Sequence, residues 1–360
     1  MTTYRITPVK HWSGLWAWYA VRDHEFGGTT PDFKIAKADH YNMVANEWLC
    51  CWSQAADTDT WTNFDNIVIG ATDLEFSNDD PFPAGLIYVA HLPMYPFSRT
   101  QRKINEWGQS EWVAETPSTT NFIIDTATPR ATVDGRTAPA LPFYGFKIEG
   151  DRVGDKNKAI LTAVNHPSET PGAFVFEGAI EWLLGDSAEA EVLRDYFEFY
   201  VYPCLNPQGV WSGYFRSCPE NATLDHNREW DDTGVLECID AFKTAMAADT
   251  GGTIDVGFDY HSYMDASNIH GTVYTGDTTG LYGYYEIEMV ALDGDFDYLQ
   301  SDILTGLIYE WRDTYSAGLT MYIEQGGETI RNVSDWKTYG ENTMKALYEM
   351  LVDGRFTNGP

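Results

Sequence analysis

From residue 86 onwards, short apolar runs alternate with longer segments of helical periodicity, and this alternation restricts the fold more than any other feature of the sequence. Runs such as AILTAV and TIDVGF are separated by segments such as EAEVLRDYFEF and ECIDAFKTAMAAD. Chains that alternate in this way build parallel sheets covered by helices. We therefore predict an α/β fold with a mixed, largely parallel sheet flanked by helices. Ligand sites in such sheets form at the carboxyl ends of the strands.

The first 82 residues have a different pattern. Aromatic and β-branched runs such as GLWAWYAVR and NFDNIVIGATDLEFS follow one another, with glycine and proline between them. Several short strands at this spacing are typical of a small β-sandwich. The stretch NDDPFPAG, rich in Asp and Pro, then marks a boundary. We predict a β-sandwich domain at 1–82 and an α/β domain at 83–360.

The charge of the chain excludes some classes of partner. It carries 54 acidic and 23 basic residues, for a net charge of −31. A surface this acidic argues against binding to nucleic acid or to an anionic membrane. The sequence also shows no run of apolar residues long enough to span a bilayer and no secretory signal, so we expect a cytoplasmic protein.

The cysteines fit a reducing compartment. The chain has five of them, and no two are spaced as in a metal-binding or redox pair. We expect buried free thiols, although Cys204 and Cys218 would be able to pair if the protein were exported.

Two histidines and a glutamate lie at predicted strand ends. His166 and Glu169 stand three residues apart in HPSE, directly after the run AILTAV, and His261 follows TIDVGF. A nitrogen and an oxygen ligand at this spacing suit zinc. The plainer alternatives are a polar turn at His166 and a histidine at the rim of the core at His261.

Four further polar residues follow predicted strands or lie in one turn-rich loop. Arg216 and the pair Asn227-Arg228 share the loop, and an arginine fork can grip a carboxylate bidentately. Ordinary surface arginines are the alternative. Glu324 closes the apolar run LTMYI, where a carboxylate is costly unless it is solvated, paired or used as a general base.

Taken in order, these motifs resemble the M14 family of zinc carboxypeptidases. The sequence gives HPSE, LNPQGV, Arg216, HNREW, HSY and YIEQ. The segments NHPSETPG and YPCLNPQGVWSGYFRSC are most similar in sequence to the cytosolic carboxypeptidase branch, which also has a β-sandwich before its catalytic domain. The resemblance covers about residues 86–350.

The resemblance implies a fold, an activity and a set of roles. It implies a carboxypeptidase-like domain that hydrolyses C-terminal residues of peptides or protein tails; that nucleic acid and membranes are not partners follows from the charge. It leaves the oligomeric state open. The implied metal ligands for one Zn²⁺ are His166, Glu169 and His261; the implied catalytic residues are Glu324 as general base and Arg216 at the oxyanion; the implied binders of the terminal carboxylate are Asn227 and Arg228.

The chain departs from the family pattern at three positions. Gln208 replaces an aspartate, which we expect to alter a turn and not the chemistry. Ser168 replaces a glycine. His226 stands where an apolar residue is usual, and we expect it to face solvent rather than substrate.

Two further assignments involve the acids and tyrosines near the end of the chain. The family uses a mobile tyrosine upstream of the late glutamate, and Tyr298, Tyr309 and Tyr315 are all candidates. Glu286 and Glu288 lie in a segment whose alternation suggests a strand face, so Glu324 is preferred as the base.

Two other functions remain open at this stage. One is a related zinc amidase or deacylase that acts on small N-acyl amino acids. Such relatives usually lack the full carboxylate clamp, whereas Arg216, Asn227 and Arg228 are all present here. The other is a binding module that kept the fold and lost catalysis, although no ligand or base is missing from the motifs.

Overall fold

The computed structural model describes residues 2–6, 20–24, 26–36, 50–90, 92–231, 234, 236–262, 272–275, 280–293, 297–300, 306–315, 317–325 and 332–360. At 20–24, 272–275, 297–300 and 325 only the backbone is described. No helix in these ranges is both long and apolar enough to cross a membrane.

The N-terminal region is built from two four-stranded sheets packed face to face. One has the strand order β1-β3-β7-β6 and the other β2-β8-β4-β5. The strands are β1 (Thr3–Ile6), β2 (Ala20–His24), β3 (Asp32–Ala36), β4 (Cys51–Ser53), β5 (Thr62–Asn63), β6 (Asn66–Ile69), β7 (Asp73–Ser77) and β8 (Ile87–Ala90). In β3 and β7 every second residue is buried, as expected for strands with one face on a core.

The core between these sheets confirms the predicted β-sandwich. Phe33 and Phe76 from one sheet pack in one cluster with Ile87 and Val89 from the other. Strand β8 continues the second sheet to residue 90. The division of the chain at residue 82 stays a prediction.

The rest of the chain is organised around an eight-stranded sheet with the order β19-β18-β20-β17-β15-β16-β14-β9. Strands β20, β17, β15 and β16 are parallel neighbours at its centre. On one side β14 pairs antiparallel with β16 and β9, and on the other β18 pairs antiparallel with β20 and parallel with β19. The strands of this region, including two small two-stranded sheets, are β9 (Val113–Ala114), β10 (Ile123–Thr126), β11 (Arg130–Ala131), β12 (Thr137–Ala138), β13 (Pro142–Tyr144), β14 (Phe146–Ile148), β15 (Asn157–Ala163), β16 (Phe197–Tyr202), β17 (Val256–Ser262), β18 (Thr272–Thr275), β19 (Asp297–Gln300) and β20 (Leu319–Gln325).

Helices cover this sheet, which confirms the predicted α/β fold. They are α1 (Phe97–Trp107), α2 (Thr170–Leu183), α3 (Ala188–Tyr196), α4 (Pro207–Ser212), α5 (Glu237–Thr250), α6 (Leu281–Leu292), α7 (Leu307–Thr314) and α8 (Val333–Val352), with a short 3₁₀ turn at His226–Arg228. Helix α2 is buried on nearly all sides and packs along α8. Gly178 and Gly340 allow that close approach, because a Cβ at either would collide with the backbone of the facing helix.

The segment that contains Glu286 and Glu288 was wrongly predicted as a strand. It forms helix α6, which buries Tyr282, Tyr285 and Met289, at a helical spacing.

A buried ion-pair cluster holds helix α2 in place against helix α1 and the N-terminal region. Glu177 of α2 accepts two hydrogen bonds from Arg99 of α1, at 2.8 and 2.7 Å, and Arg99 also contacts Asp57 in the N-terminal region. Burial alone would raise the pKa of Glu177, but Arg99 and the neighbouring lysines outweigh it and hold the pKa at about 2. The helix that follows Glu169 in the chain is therefore anchored to both parts of the molecule.

Candidate metal centre and active site

Strand β15 ends in a strained turn. Val164, the first residue after the strand, is buried and has φ of 58°, which lies in the left-handed region that β-branched residues rarely adopt. Strain of this kind persists where the surrounding structure enforces it, often at functional sites. The turn brings Asn165 and His166 to the carboxyl edge of the sheet, and Glu169 follows as the N-cap residue of α2.

Three buried side chains converge at this edge. Nδ1 of His166 lies 2.7 Å from Oε1 of Glu169, and Nδ1 of His261 lies 2.6 Å from Oε2. Potential ligand atoms of the three residues all lie within 4.8 Å of one another, and no other group of histidine, cysteine or acidic residues in the described ranges meets that condition. Gly172 makes this convergence possible, because a Cβ there would lie 2.5 Å from the backbone of His261.

Two aspartates hold the outer nitrogens of these histidines. Nε2 of His166 lies 2.8 Å from Oδ1 of Asp225, and Nε2 of His261 lies 2.7 Å from Oδ2 of Asp259. A carboxylate accepts only, so each Nε2 carries a proton and donates it. Nδ1 of each ring faces Glu169. The arrangement is like that of metal sites in which an outer carboxylate orients a histidine ligand.

The centre attracts positive charge. Burial alone would lower the pKa of His261, but the carboxylates of Asp259 and Glu169 outweigh it and raise the pKa well above its usual value. A cation between the two Nδ1 atoms and Glu169 would be stabilised by the same negative charges. Two imidazole nitrogens and a carboxylate are a donor set that zinc accepts, with a position left for water. The residues present therefore fit a catalytic metal.

Arg216 is held beside the centre by two carboxylates. Its Nε donates to Oδ2 of Asp225 at 2.9 Å, and one terminal nitrogen donates to Oε1 of Glu169 at 3.1 Å. Burial would lower its pKa, but Asp225 and Glu169 raise it, so the guanidinium stays charged. The other terminal nitrogen, Nη2, donates to no acceptor in the described part of the chain.

Asn227 presents one side of its amide to the site. Its Oδ1 accepts from Nδ2 of Asn165 at 2.9 Å, from the backbone N–H of Leu307 at 3.1 Å and from the hydroxyl of Tyr322 at 3.4 Å. The backbone donor fixes which amide atom is the oxygen. The Nδ2 group donates to none of the described residues, so it is available to an acceptor on a ligand.

The neighbouring Arg228 is exposed. It donates to the backbone oxygen of Asn227 at 3.0 Å and forms no ion pair with any residue that the structure describes. Asp225 positions both residues, since it caps the 3₁₀ turn by accepting the backbone N–H of Asn227. One loop thus carries an amide donor and a cation side by side.

Glu324 lies on β20 opposite His261 of β17. Its Oε2 is buried and has no hydrogen-bond partner among the described residues. Burial raises the pKa of this carboxyl to about 8, with Glu169 adding to the shift and His261 opposing it. A carboxyl with such a pKa can take up and release a proton near neutral pH.

Three residues that the sequence reasoning missed belong to this arrangement: Asn165, Asp225 and Asp259. Each had a signal in the sequence. Asp259 lies two residues before His261 in a strand, so both point to the same face of the sheet. Asn165 directly precedes His166, and Asp225 precedes Asn227 by two residues.

The departures from the family pattern have structural outcomes. His226 does not face solvent as expected: it is fully buried, between Asn165 and Cys238. Gln208 lies in α4 and donates to the backbone oxygens of Thr128 and Pro139, away from the metal centre. Ser168 is buried and donates to the backbone oxygen of Phe215.

The tyrosine assignment stays open. Tyr315 is buried and its hydroxyl donates to the backbone of Lys243, whereas Tyr309 is partly exposed with Arg312 over its ring. The side chain of Tyr298 lies outside the described part. The five cysteines, by contrast, are all buried and form no disulfide, as predicted.

Two solved metallo-carboxypeptidases have the same overall arrangement as this chain. The chain superposes on the enzyme from Pseudomonas aeruginosa, solved with (2-guanidinoethylmercapto)succinic acid, with a TM-score of 0.76 over 99% of this chain and 95% of that one, at 19% identity. The enzyme from Burkholderia cenocepacia gives 0.75 over 96% and 92%, at 17% identity. The chain has the metallo-carboxypeptidase fold.

Curated relatives that match part of the chain are named cytosolic carboxypeptidases. Cytosolic carboxypeptidase 2 of Xenopus tropicalis is 40% identical over 87 residues, which is 24% of this chain and 9% of that protein. Cytosolic carboxypeptidase 6 of Mus musculus is 32% identical over 126 residues, 33% of this chain and 23% of that protein. The matches span less than a quarter of either relative. No protein-family model matches the chain. The resemblance to the cytosolic branch of M14 carboxypeptidases is thereby confirmed.

Proposed function

We propose that this protein, which has the metallo-carboxypeptidase fold, removes C-terminal residues from peptides or protein tails in a zinc-dependent reaction. The observation that supports this most is the convergence of His166, Glu169 and His261 at the carboxyl edge of the sheet. Arg216 contacts Glu169, and Asn227 is joined through Asn165 to the aspartate behind His261. The names of the curated relatives and of the superposed structures agree with this chemistry.

The metal would be held by Nδ1 of His166, Nδ1 of His261 and the carboxylate of Glu169. When bound, zinc supplies Lewis acidity, which polarises a carbonyl oxygen and lowers the pKa of water. Asp225 and Asp259 keep both imidazoles in the required tautomer. The identity of the metal as zinc is also a proposal, and it is supported by the donor set of two imidazole nitrogens and one carboxylate.

Glu324 acts as the general base. Its buried carboxylate takes a proton from the attacking water and passes it to the nitrogen of the leaving amine. Burial raises the pKa of this carboxyl above its ordinary value, which suits a group that has to take up a proton as well as release one.

Arg216 stabilises the oxyanion that develops on the former carbonyl oxygen. Its Nε and one terminal nitrogen are held by Asp225 and Glu169, which leaves Nη2 to donate. A donor fixed in advance costs no reorganisation when the charge develops. Asp225 therefore serves both the metal ligand His166 and the oxyanion group.

Asn227 and Arg228 bind the terminal carboxylate of the substrate. Nδ2 of Asn227 donates one hydrogen bond, and the guanidinium of Arg228 adds charge. This pair makes the enzyme an exopeptidase, because the clamp is complete only when the substrate ends in a free carboxylate. An enzyme that cleaves within chains has no use for it.

We also propose that the protein acts in the cytoplasm on peptide or protein C-termini. The curated relatives are named as cytosolic proteins, and five buried cysteines that form no disulfide suit a reducing compartment.

The test compares three substrate classes with the purified protein. Peptides with free C-termini, the same peptides with amidated C-termini, and small N-acyl amino acids are assayed with and without a chelator, and bound metal is measured. We expect metal-dependent cleavage of the free peptides alone. Equal cleavage of amidated peptides contradicts the clamp, preference for N-acyl amino acids favours a deacylase, and binding without turnover favours a non-catalytic module.

A further inference from the structure

Asn165 joins the two halves of the proposed site. It is fully buried, and its Nδ2 donates to Oδ1 of Asn227 at 2.9 Å and to Oδ2 of Asp259 at 3.1 Å. Asn227 is the proposed carboxylate binder, and Asp259 orients the metal ligand His261. One amide group therefore spans from the substrate clamp to the metal centre.

The orientation of this amide is fixed by its surroundings. Asp259 accepts only, so the atom facing it is the nitrogen of Asn165. The oxygen on the other side accepts from Nε1 of Trp230 at 3.4 Å, and indole nitrogen donates only. No flipped arrangement satisfies both neighbours.

His226 completes the set of contacts to Asn165, and its tautomer follows. Its Nδ1 lies 2.6 Å from Oδ1 of Asn165, so Nδ1 carries the proton. Its Nε2 lies 3.1 Å from Sγ of Cys238, which also contacts Cys218, and an Nε2 without a proton is able only to accept from the Cys238 thiol. Burial also lowers the pKa of His226 to about 3, so the ring stays neutral.

We propose that His226 is a positioning residue for the reaction: held by Cys238, it donates from Nδ1 to Asn165 and so sets the amide of Asn227 that receives the substrate carboxylate. Hydrogen bonds then run in one direction, from the Cys238 thiol through His226 and Asn165 to Asn227 and Asp259. The inference rests on the proposed function. It also goes beyond the resemblance, because the family usually has an apolar residue where His226 stands.

Two variants of His226 separate this role from simple filling of space. His226→Asn places an amide donor close to the position of Nδ1, whereas His226→Gln places its donor close to Nε2. Both replacements are uncharged amides that are smaller than or similar in size to histidine, so the two variants bury the same kind of polar group. Only His226→Asn keeps a donor for Asn165.

The measurement is calorimetric binding in a Glu324→Gln background, which prevents turnover. The ligands are one peptide with a free C-terminus and the same peptide amidated. We expect His226→Gln to weaken binding of the free peptide about five- to tenfold, as for loss of one buried hydrogen bond, and to leave the amidated peptide unchanged. His226→Asn should bind within about twofold of the parent. Equal losses for both peptides, or no difference between the two variants, would overturn the inference.

A second readout does not depend on activity or on metal. Nitrogen NMR of the imidazole in the metal-free protein should show the Nδ1–H tautomer of His226 at neutral pH, and loss of that preference in Asn165→Ala, which removes the acceptor of that proton. An Nε2–H tautomer would overturn the inference even in an active enzyme. Failure of the proposed function looks different, since it is absence of metal-dependent cleavage in the unaltered protein.

Discussion

His261 and Glu324 lie opposite each other in the register of the parallel strands β17 and β20. Side chains at paired positions of neighbouring strands share a face of the sheet. The pairing therefore places a proposed metal ligand and the proposed base side by side at the edge where both strands end. It also explains why the charges of His261 and Glu169 influence the pKa of Glu324, whose Oε2 is buried.

Glu324→Gln should abolish turnover without loss of metal. The amide keeps the shape of the side chain but takes up no proton, so we expect kcat to fall about 10²- to 10⁴-fold. Steady-state kinetics and metal analysis of the same preparation check this. A variant that retains most of its activity would show that another group is the base.

The same substitution should change how stability depends on pH in the metal-free protein. Burial raises the pKa of Glu324 from its ordinary 4.5 to about 8, so the folded state binds this proton more tightly than the unfolded state. The associated stability is complete below pH 4.5 and is lost as the pH rises through about 8. The free energy of unfolding of the parent should therefore fall relative to Glu324→Gln over that interval. Urea titrations of both proteins at several pH values measure the difference, and a constant difference would contradict it.

Asp259→Asn should weaken metal binding. Asp259 accepts from Nε2 of His261 at 2.7 Å, and loss of such an outer carboxylate typically costs about 10- to 100-fold in metal affinity. Competition with a chelating dye gives the affinity. Asp249→Asn is the matched control, because Asp249 is also buried but its carboxylate accepts from Ser118 and Tyr202. Equal losses in the two variants would indicate a general effect on folding.

Arg228→Ala should raise KM for peptides with a free C-terminus about tenfold and change kcat little, since it removes one charge-assisted contact to the ground-state carboxylate. Arg355→Ala is the comparison, as Arg355 pairs with Asp353 near the end of the chain. If Arg228→Ala leaves KM unchanged, Arg228 does not bind the carboxylate.

Gly172→Ala should both destabilise the protein and loosen the metal site. A Cβ at Gly172 would lie 2.5 Å from the backbone of His261, so α2 and β17 would have to separate. We expect a loss of about 1–3 kcal/mol in the free energy of unfolding, together with weaker metal binding. Gly359→Ala is the control, because its Cβ would be 3.4 Å from the nearest neighbour, the backbone oxygen of Leu351. Denaturant unfolding with and without zinc measures both effects.

The segment of α6 shows why one element was assigned wrongly from sequence. Apolar residues occupy its exposed face as well as its buried face: Ile287 and Val290 are exposed, while Tyr285 and Met289 are buried. The exposed apolar side chains hide the helical period and make the run resemble an alternating strand.

His226 shows the same limit for a single residue. A polar side chain in a turn-rich loop is expected at the surface, and nothing nearby in the sequence indicates otherwise. It is buried because Asn165 at the end of β15, Trp230 four residues further along and Cys238 of the next helix surround it. Burial of this kind is a property of the packed fold.

The sequence by itself determined the strand–helix alternation, the β-sandwich pattern and the local pair His166 and Glu169, since spacing along one turn fixes where such neighbours can point. Tertiary structure alone decided the rest of the centre. His261 meets Glu169 across 92 residues because β15 and β17 are adjacent parallel strands that end at one edge. Asp225 meets His166, Asn165 meets Asn227, and Glu324 acquires its raised pKa only when these distant parts of the chain fold together. Hydrogen-bond partners and desolvation depend on groups far apart in the chain, which local sequence does not encode.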